Sequence, residues 1–225
     1  EFTARCCKEG ILPENCYCVR LYRTTYEGER LVNTTQVNYV DPLDRKQILE
    51  ADQELRHQMN IITDFLRKYV PGYEHCTIKT GASTLGIRES RRFSGKYVMN
   101  ISDLREARRF PDVVVHKAQF VVDIHNPVGG GQANGIAEYV DAYDIPWRSL
   151  VPQKMENLIL AGRCISGTHE AMASYRVMAI AMAIGEAAGI GAALAIDHDV
   201  TPENLDVKYI QKALMDKGAV LFDEK

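Results

Sequence analysis

The 225-residue sequence has no excess of either charge: 27 Lys and Arg stand against 30 Asp and Glu, for a net charge of −3. It therefore carries no basic field to steer nucleic acid or an anionic membrane surface toward it, and neither is expected as a partner. It also lacks a long run of large apolar residues. The nearest approach is 171–196, where Arg176 and Glu186 interrupt a stretch of Ala and Gly rather than Leu and Phe. That composition reads as a helix buried inside a soluble protein rather than a membrane span. No segment reads as a signal peptide, since no apolar stretch follows Glu1-Phe2-Thr3-Ala4-Arg5. Zinc-ligand spacing is missing too. The cysteines at 6, 7, 16, 18, 76 and 164 form pairs too tight for a finger, with no Cys/His pair to match. No metal site is expected, and the thiols suggest reduced cysteines in a cytoplasmic protein. Internal repeats and low-complexity tracts are absent as well.

What is present matches an ordinary globular chain, 46% hydrophobic and 25% charged. Residues 15–22 alternate and carry β-formers, 26–30 form a turn, and 31–39 read as a second strand, so a hairpin is the simplest pairing. Asp41-Pro42 offers a helix start, with Asp44 adding negative charge where the helix dipole favours it. Ile48, Leu55, Met59, Ile62, Leu66 and Tyr69 then recur on one face, predicting a helix over 44–70 that stops at Pro71-Gly72. Further on, 76–83 and 93–99 read as strands around the charged run 86–93. Residues 101–110 read as a short helix capped by Asn100 or Ser102, and 113–115, 118–124, 139–143 and 145–151 as short strands. The four-glycine stretch 125–135 must be irregular. Beyond 156 the pattern changes. A short apolar strand, 157–162, ends in glycine; a polar turn follows, then a long small-residue helix over 170–195 and a last helix over 202–217.

The fold class expected is α+β / α/β: a mixed-sheet domain over 1–150, a strand–loop–helix unit over 151–200, and a C-terminal helix and tail over 201–225. A strand ending at Gly162 and leading into a helix puts the helix N-terminus beside the strand's carboxyl end, where α/β sheets bind ligands. The free N–H groups there suit a phosphate or a developing anion. Ala181, Gly185, Gly189 and Ala193 fall four apart, a flat stripe against which another backbone can pack. The plain alternative is a buried helix with no ligand at all.

Four blocks bear on that choice: "GIRESRR" (86–92), "DIHNP" (123–127), "IPWRSLVP" (145–152) and "NLILAGRCISGTHEAMASYRVM" (157–178). The last is similar to the final FAD-contacting segment of glutathione-reductase-type flavoproteins. Together, in this order, the four resemble the FAD-dependent oxidoreductase family, and the resemblance runs from about Val32 to the C-terminus. It implies that 1–150 is a substrate-binding domain and 151–200 the last strand and long helix of a Rossmann-like FAD-binding domain. Gly162 and Arg163 would lie near the pyrophosphate and ribityl chain, although many relatives in the wider superfamily carry an Asp where Arg163 stands. Ser166, Gly167, Thr168 and His169 would face the flavin pyrimidine, with the helix N-terminus favouring negative charge there. His169 either shares that work or caps the helix. Ser174 lies one turn further in, and Arg176 is expected to satisfy a buried partner. The G-x-G-x-x-G turn that should open such a domain is not in this sequence. The resemblance thus implies a preceding region, and the chain alone is expected to hold FAD weakly or not at all.

For the substrate, two sets of residues stand out. Arg88 and Arg91 either belong to a solvated, salt-bridged run or orient a carboxylate, a hydroxyl or the flavin edge. Asp123 and His125 lie two apart on one side of a strand, which lets a carboxylate orient an imidazole as general base while hydride leaves a small-molecule substrate for flavin N5. A structural histidine at a strand end is the alternative. Tyr97, His116 and Trp147 are more in keeping with core or surface. Two other functions compete with the oxidoreductase: a stand-alone binding domain that kept the fold and lost the flavin, and a polysaccharide hydrolase or lyase. The last has neither a nucleophile elbow nor a suitable carboxylate pair. A chain lacking its dinucleotide half is also expected to expose apolar surface near the 171–195 helix and to self-associate through it.

Overall fold

The computed structural model describes residues 2–125 and 137–223, so most of the glycine stretch 125–135 lies outside the described residues. Two compact units divide the chain, residues 1–90 with 125–136 and residues 91–124 with 137–225.

The first unit is organised by one helix. It starts at Arg45 and ends at Tyr69 (α2; α1 is Phe2–Lys8). Asp44, not Asp41, is its cap, accepting from Lys46 N at 2.8 Å. Asp41 is engaged one turn earlier, where its side chain accepts from Leu43 N at 2.9 Å. Val70 leaves the helix in an extended conformation, Pro71 cannot continue it, and Gly72 takes φ +87°. The inward face of α2 buries Ala51, Gln58, Ile62, Phe65 and Leu66. Its packing partners are Cys6 of α1, Leu12, and Cys16 of the 3-10 turn Glu14–Cys16. Gln58 behaves like a strand residue in this core. Its amide accepts from Gln36 N at 3.0 Å, donates to Gln36 O at 3.1 Å, and accepts from Cys16 Sγ at 3.3 Å. The expected hairpin is there, but each strand has four residues: β1 (Arg20–Arg23) pairs antiparallel with β2 (Arg30–Asn33), Arg20 opposite Asn33. α1 had no sequence signal. Residues 76–83, expected as a strand, are irregular, because no neighbouring segment offers them a hydrogen-bonding ladder.

The second unit holds the larger core. α3 (Ile101–Arg105) opens with a capping box in which Asn100 and Asp103 satisfy each other's backbone N–H groups. β3 (Val113–Ala118) pairs antiparallel with β4 (Tyr143–Pro146) through two register shifts. Both strands are buried nearly throughout, so neither alternates buried with exposed residues, and the polar Asp144 lies inside the core with the apolar ones. A 3-10 turn, Trp147–Ser149, follows β4.

The C-terminal third departs from expectation. Residues 157–162 form no strand, so the described residues contain two small antiparallel sheets and no Rossmann sheet. The single helix expected over 170–195 is two helices, α4 (His169–Tyr175) and α5 (Met178–Asp197). The break falls at Val177, held extended at φ −70°, ψ 153°. Val is a poor helix former there, and Arg176 beside it is drawn to Asp123. α5 buries Ile180, Ile184, Ala187, Ala188, Gly191 and Ala195 along one stripe. Gly191 lets the Trp147 ring lie against the helix backbone, since a methyl group there would overlap it. The stripe of Gly185 and Gly189 faces outward instead, beside exposed Met178, Met182 and Ile196. By length and composition alone, α5 is also apolar enough to cross a membrane. α6 (Val207–Asp216), capped by Asp206, packs Ile210 and Leu214 into the same core.

Burial has a consequence for alkaline stability. It lifts the Cys16 thiol from 9.0 to about 11 and the Tyr143 phenol from 10.0 to about 12. Both folded values exceed the unfolded ones, so the native state holds these protons more tightly. Their contribution is complete below pH 9 and is lost as pH rises through about 11 and 12. Urea midpoints measured across that range are expected to fall steeply, and Cys16→Ala to flatten the early part of the fall. Identical profiles for the two proteins would refute the assignment.

Candidate cofactor-binding site

The segment 93–99 does not form the expected regular strand, because it bonds to four partners in turn. Phe93 N donates to Cys164 O at 3.1 Å, Lys96 N to Val151 O at 2.9 Å, and Tyr97 N to Arg148 O at 3.1 Å. Met99 N then reaches Ser166 O at 3.1 Å, and Thr168 N returns to Met99 O at 2.7 Å. Ser166 N donates to Ser149 O at 3.0 Å, closing the lacing from the other side. Gly95 permits it, since a Cβ at that position would lie 2.7 Å from Ser166 Cβ. The lacing therefore clamps the loop that the resemblance places at the flavin.

Along that loop, Gly162 takes φ +69°, with open space where a side chain would project. That left-handed residue turns the chain into the 3-10 turn Gly162–Cys164 and leaves its backbone accessible. Arg163 is exposed. Ile165 and Ser166 are fully buried, and the Ser166 hydroxyl has no hydrogen-bond partner. Gly167 lies against the buried Tyr175 ring, whose hydroxyl donates to Ile165 O at 3.2 Å. Thr168, rather than His169, caps α4, accepting from Ala171 N at 3.4 Å. His169 and Glu170 are exposed on its first turn. Hydrogen bonds at the helix start hold the Glu170 carboxyl below its usual range, with His169 and Arg92 adding positive charge. α4 has only seven residues, so the N–H groups of this turn, more than a long macrodipole, set the local field.

The other anticipated residues are placed differently. Ser174 is buried. It donates to Phe120 O at 2.7 Å and lies 2.7 Å from the Tyr143 hydroxyl, an arrangement that faces the core. The Asp123 carboxylate, expected to orient His125, is 3.3 Å from Arg176 Nη2, which also donates to Asp123 O at 2.6 Å. The buried partner expected for Arg176 is thus Asp123. His125 and Arg88 belong to the first unit, whereas Asp123 and Arg91 belong to the second. Arg88 and Arg91 are both exposed.

The arginine that reaches the loop is Arg92, whose Nε donates to Gly167 O at 2.9 Å. Nothing in the run "RESRR" separates it from Arg91. Gly95 and Tyr175 were likewise overlooked, and only the tertiary lacing marks them. A carboxylate–imidazole pair does exist elsewhere in this unit: Asp144 Oδ1 is 2.8 Å from His116 Nδ1, with both side chains buried. Among the described residues, no three potential metal ligands converge on one point.

No curated protein and no solved structure matches the chain. The family model described as FAD dependent oxidoreductase matches residues 3–214, nearly the whole length. The chain belongs to the FAD-dependent oxidoreductase family.

Proposed function

We propose that this chain supplies the flavin-side loop of an oxidoreductase that takes hydride from a small-molecule substrate. The family implies FAD. The observation that carries the reading is the bond from Arg92 to Gly167 O, which ties together two of the blocks behind the resemblance. Residues 162–169 fit one side of the cofactor. Gly162 leaves room for a close backbone approach, Arg163 offers a positive charge to a phosphate, and Ser166 carries an unpartnered hydroxyl. The ADP side has no counterpart among these 225 residues, which lack G-x-G-x-x-G.

When bound, FAD would accept hydride at N5. The loop's own part is to hold Gly167, Thr168 and His169 in place and to present positive potential from Arg163 and the first turn of α4. His125 as proton acceptor, oriented by Asp123, rests on the sequence alone, since Asp123 is engaged by Arg176. A second reading, a binding domain that does not use flavin, is favoured by the lack of a Rossmann sheet among the described residues.

The test is the visible absorption of this chain and of the full product of its gene, each mixed with FAD and freed of excess. Flavin bands retained by the full product support the oxidoreductase. Their loss from both preparations gives the binding domain the lead. The exposed α5 face adds an expectation about assembly: this chain should elute as an oligomer, and Met182→Lys, at a position 74% exposed, should shift it toward monomer. A monodisperse monomer for the unaltered chain refutes it.

A further inference from the structure

We infer that Arg92 is the positioning residue of the flavin-side loop, a role that rests on the reading just given. Three observations converge on it. Its Nε donates to Gly167 O at 2.9 Å, a charge-assisted bond to the backbone of the loop itself. Its positive charge bears on Glu170, in the first turn of α4, and on the Tyr175 phenol beneath Gly167. Next to it, Phe93 N donates to Cys164 O at 3.1 Å, so consecutive residues grip the loop at two points three residues apart.

The chemistry explains why arginine suits the position. Gly167 has no side chain to limit its backbone, so without Arg92 the Gly167–Thr168 peptide would be held from its N–H side alone. A guanidinium fixes the Gly167 carbonyl's direction and, by the planarity of the peptide, fixes the Thr168 N–H at the same time. Thr168 N donates to Met99 O, so the peptide is held at both ends. The backbone at the start of α4, which follows directly, is then held in a defined direction. A lysine in this place would bring the charge without the fork that sets the angle.

The experiment compares Arg92→Gln, Arg92→Lys and the unaltered protein, using the full product of the gene, with Arg56→Gln on α2 as a control. Arg56 is exposed, bonds Asp52 four residues away, and belongs to the other unit. Amide hydrogen exchange over 164–172 is followed without FAD, and FAD affinity and the visible circular dichroism of bound flavin are followed with it. Arg92→Gln is expected to speed exchange at Gly167 and Thr168 by at least about tenfold and to weaken FAD by a similar factor. Its flavin dichroism should change, and Arg92→Lys should recover only part of each effect. Unchanged exchange in Arg92→Gln overturns the role, whether or not FAD binds. Faster exchange in a protein that never takes up FAD sustains the positioning role and sinks the flavin reading instead. Should Arg92→Gln fail to fold, the same decision is read from Arg92→Lys, for which wild-type exchange and wild-type dichroism would be the overturning result.

Discussion

Replacing Asp144 with asparagine is expected to destabilise the second unit by about 3–5 kcal/mol, the range for breaking a buried charged cluster by removing one member. Asp144 is 1% exposed and is the acceptor for four groups. Its Oδ1 lies 2.8 Å from His116 Nδ1, 3.3 Å from Arg109 Nη1 and 3.3 Å from Lys117 N; its Oδ2 accepts from Phe110 N at 3.3 Å. An asparagine would turn an N–H₂ toward donors on one side and remove the charge from all of them. Arg109 can turn to water and keeps its bond to Ala142 O at 2.8 Å. The loss therefore concentrates on Phe110 N, on His116, and on Lys117, whose φ of +53° is a conformation a lysine seldom adopts. Trp147, the only tryptophan in the chain, is buried in the same core, so its fluorescence reports urea unfolding of this unit. An exposed pair in the same unit sets the contrast: Asp216→Asn, which breaks a 2.6 Å contact with Lys212, should cost below about 1 kcal/mol. Equal shifts for the two variants would refute the assignment of Asp144 as the centre of a buried network.

Gly167→Ala is the second large effect, and it joins stability to the site. A Cβ there would lie 2.5 Å from the Tyr175 hydroxyl and 2.9 Å from its ring. Tyr175 cannot step aside, because it is fully buried and its hydroxyl is held by Ile165 O. The loop must move instead, at a cost of about 1–3 kcal/mol. That movement is expected to take the Gly167 carbonyl off Arg92 and to weaken FAD retention more than tenfold. Tyr175→Leu alone opens a cavity, but combined with Gly167→Ala it removes the overlap. The double variant should therefore be more stable than the sum of the two single effects. Strict additivity in denaturation experiments would show that the overlap is relieved by some other route.

The parts of the fold that were legible are those whose specification is local. α2 could be read because its period, its acidic start and its Pro-Gly stop all lie within thirty residues, and only the choice of Asp44 over Asp41 depended on where Asp41's side chain was already engaged. The hairpin, and a cap at Asn100 or Ser102 that the structure gives to Asn100, were legible for the same reason. The strand expected at 157–162 failed because a strand is a property of pairs. The apolar pattern is present, but its neighbours offer one bond of the kind, Leu160 N to Leu150 O at 2.8 Å. The break between α4 and α5 depends on Arg176 reaching Asp123, 53 residues away. In the candidate site, the resemblance picked out the loop but could not say which side chains face inward. Ser174 and Arg92 have the same local character as their neighbours, and tertiary position alone sends one to the core and the other to the loop.

The lacing also sets an order in time. Arg92 and Gly167 are 75 residues apart in sequence, and Met99 and Ser166 are 67 apart. Closing spans of that length costs chain entropy before any bond repays it, so such contacts form after the local ones. During synthesis, the loop cannot lock until Gly167 has left the ribosome, long after α2 has been able to coil. A nascent chain stalled before that point can hold a coiled α2 while the 162–169 loop is still unlaced. Maturation of the loop then waits on synthesis of residues 164–168.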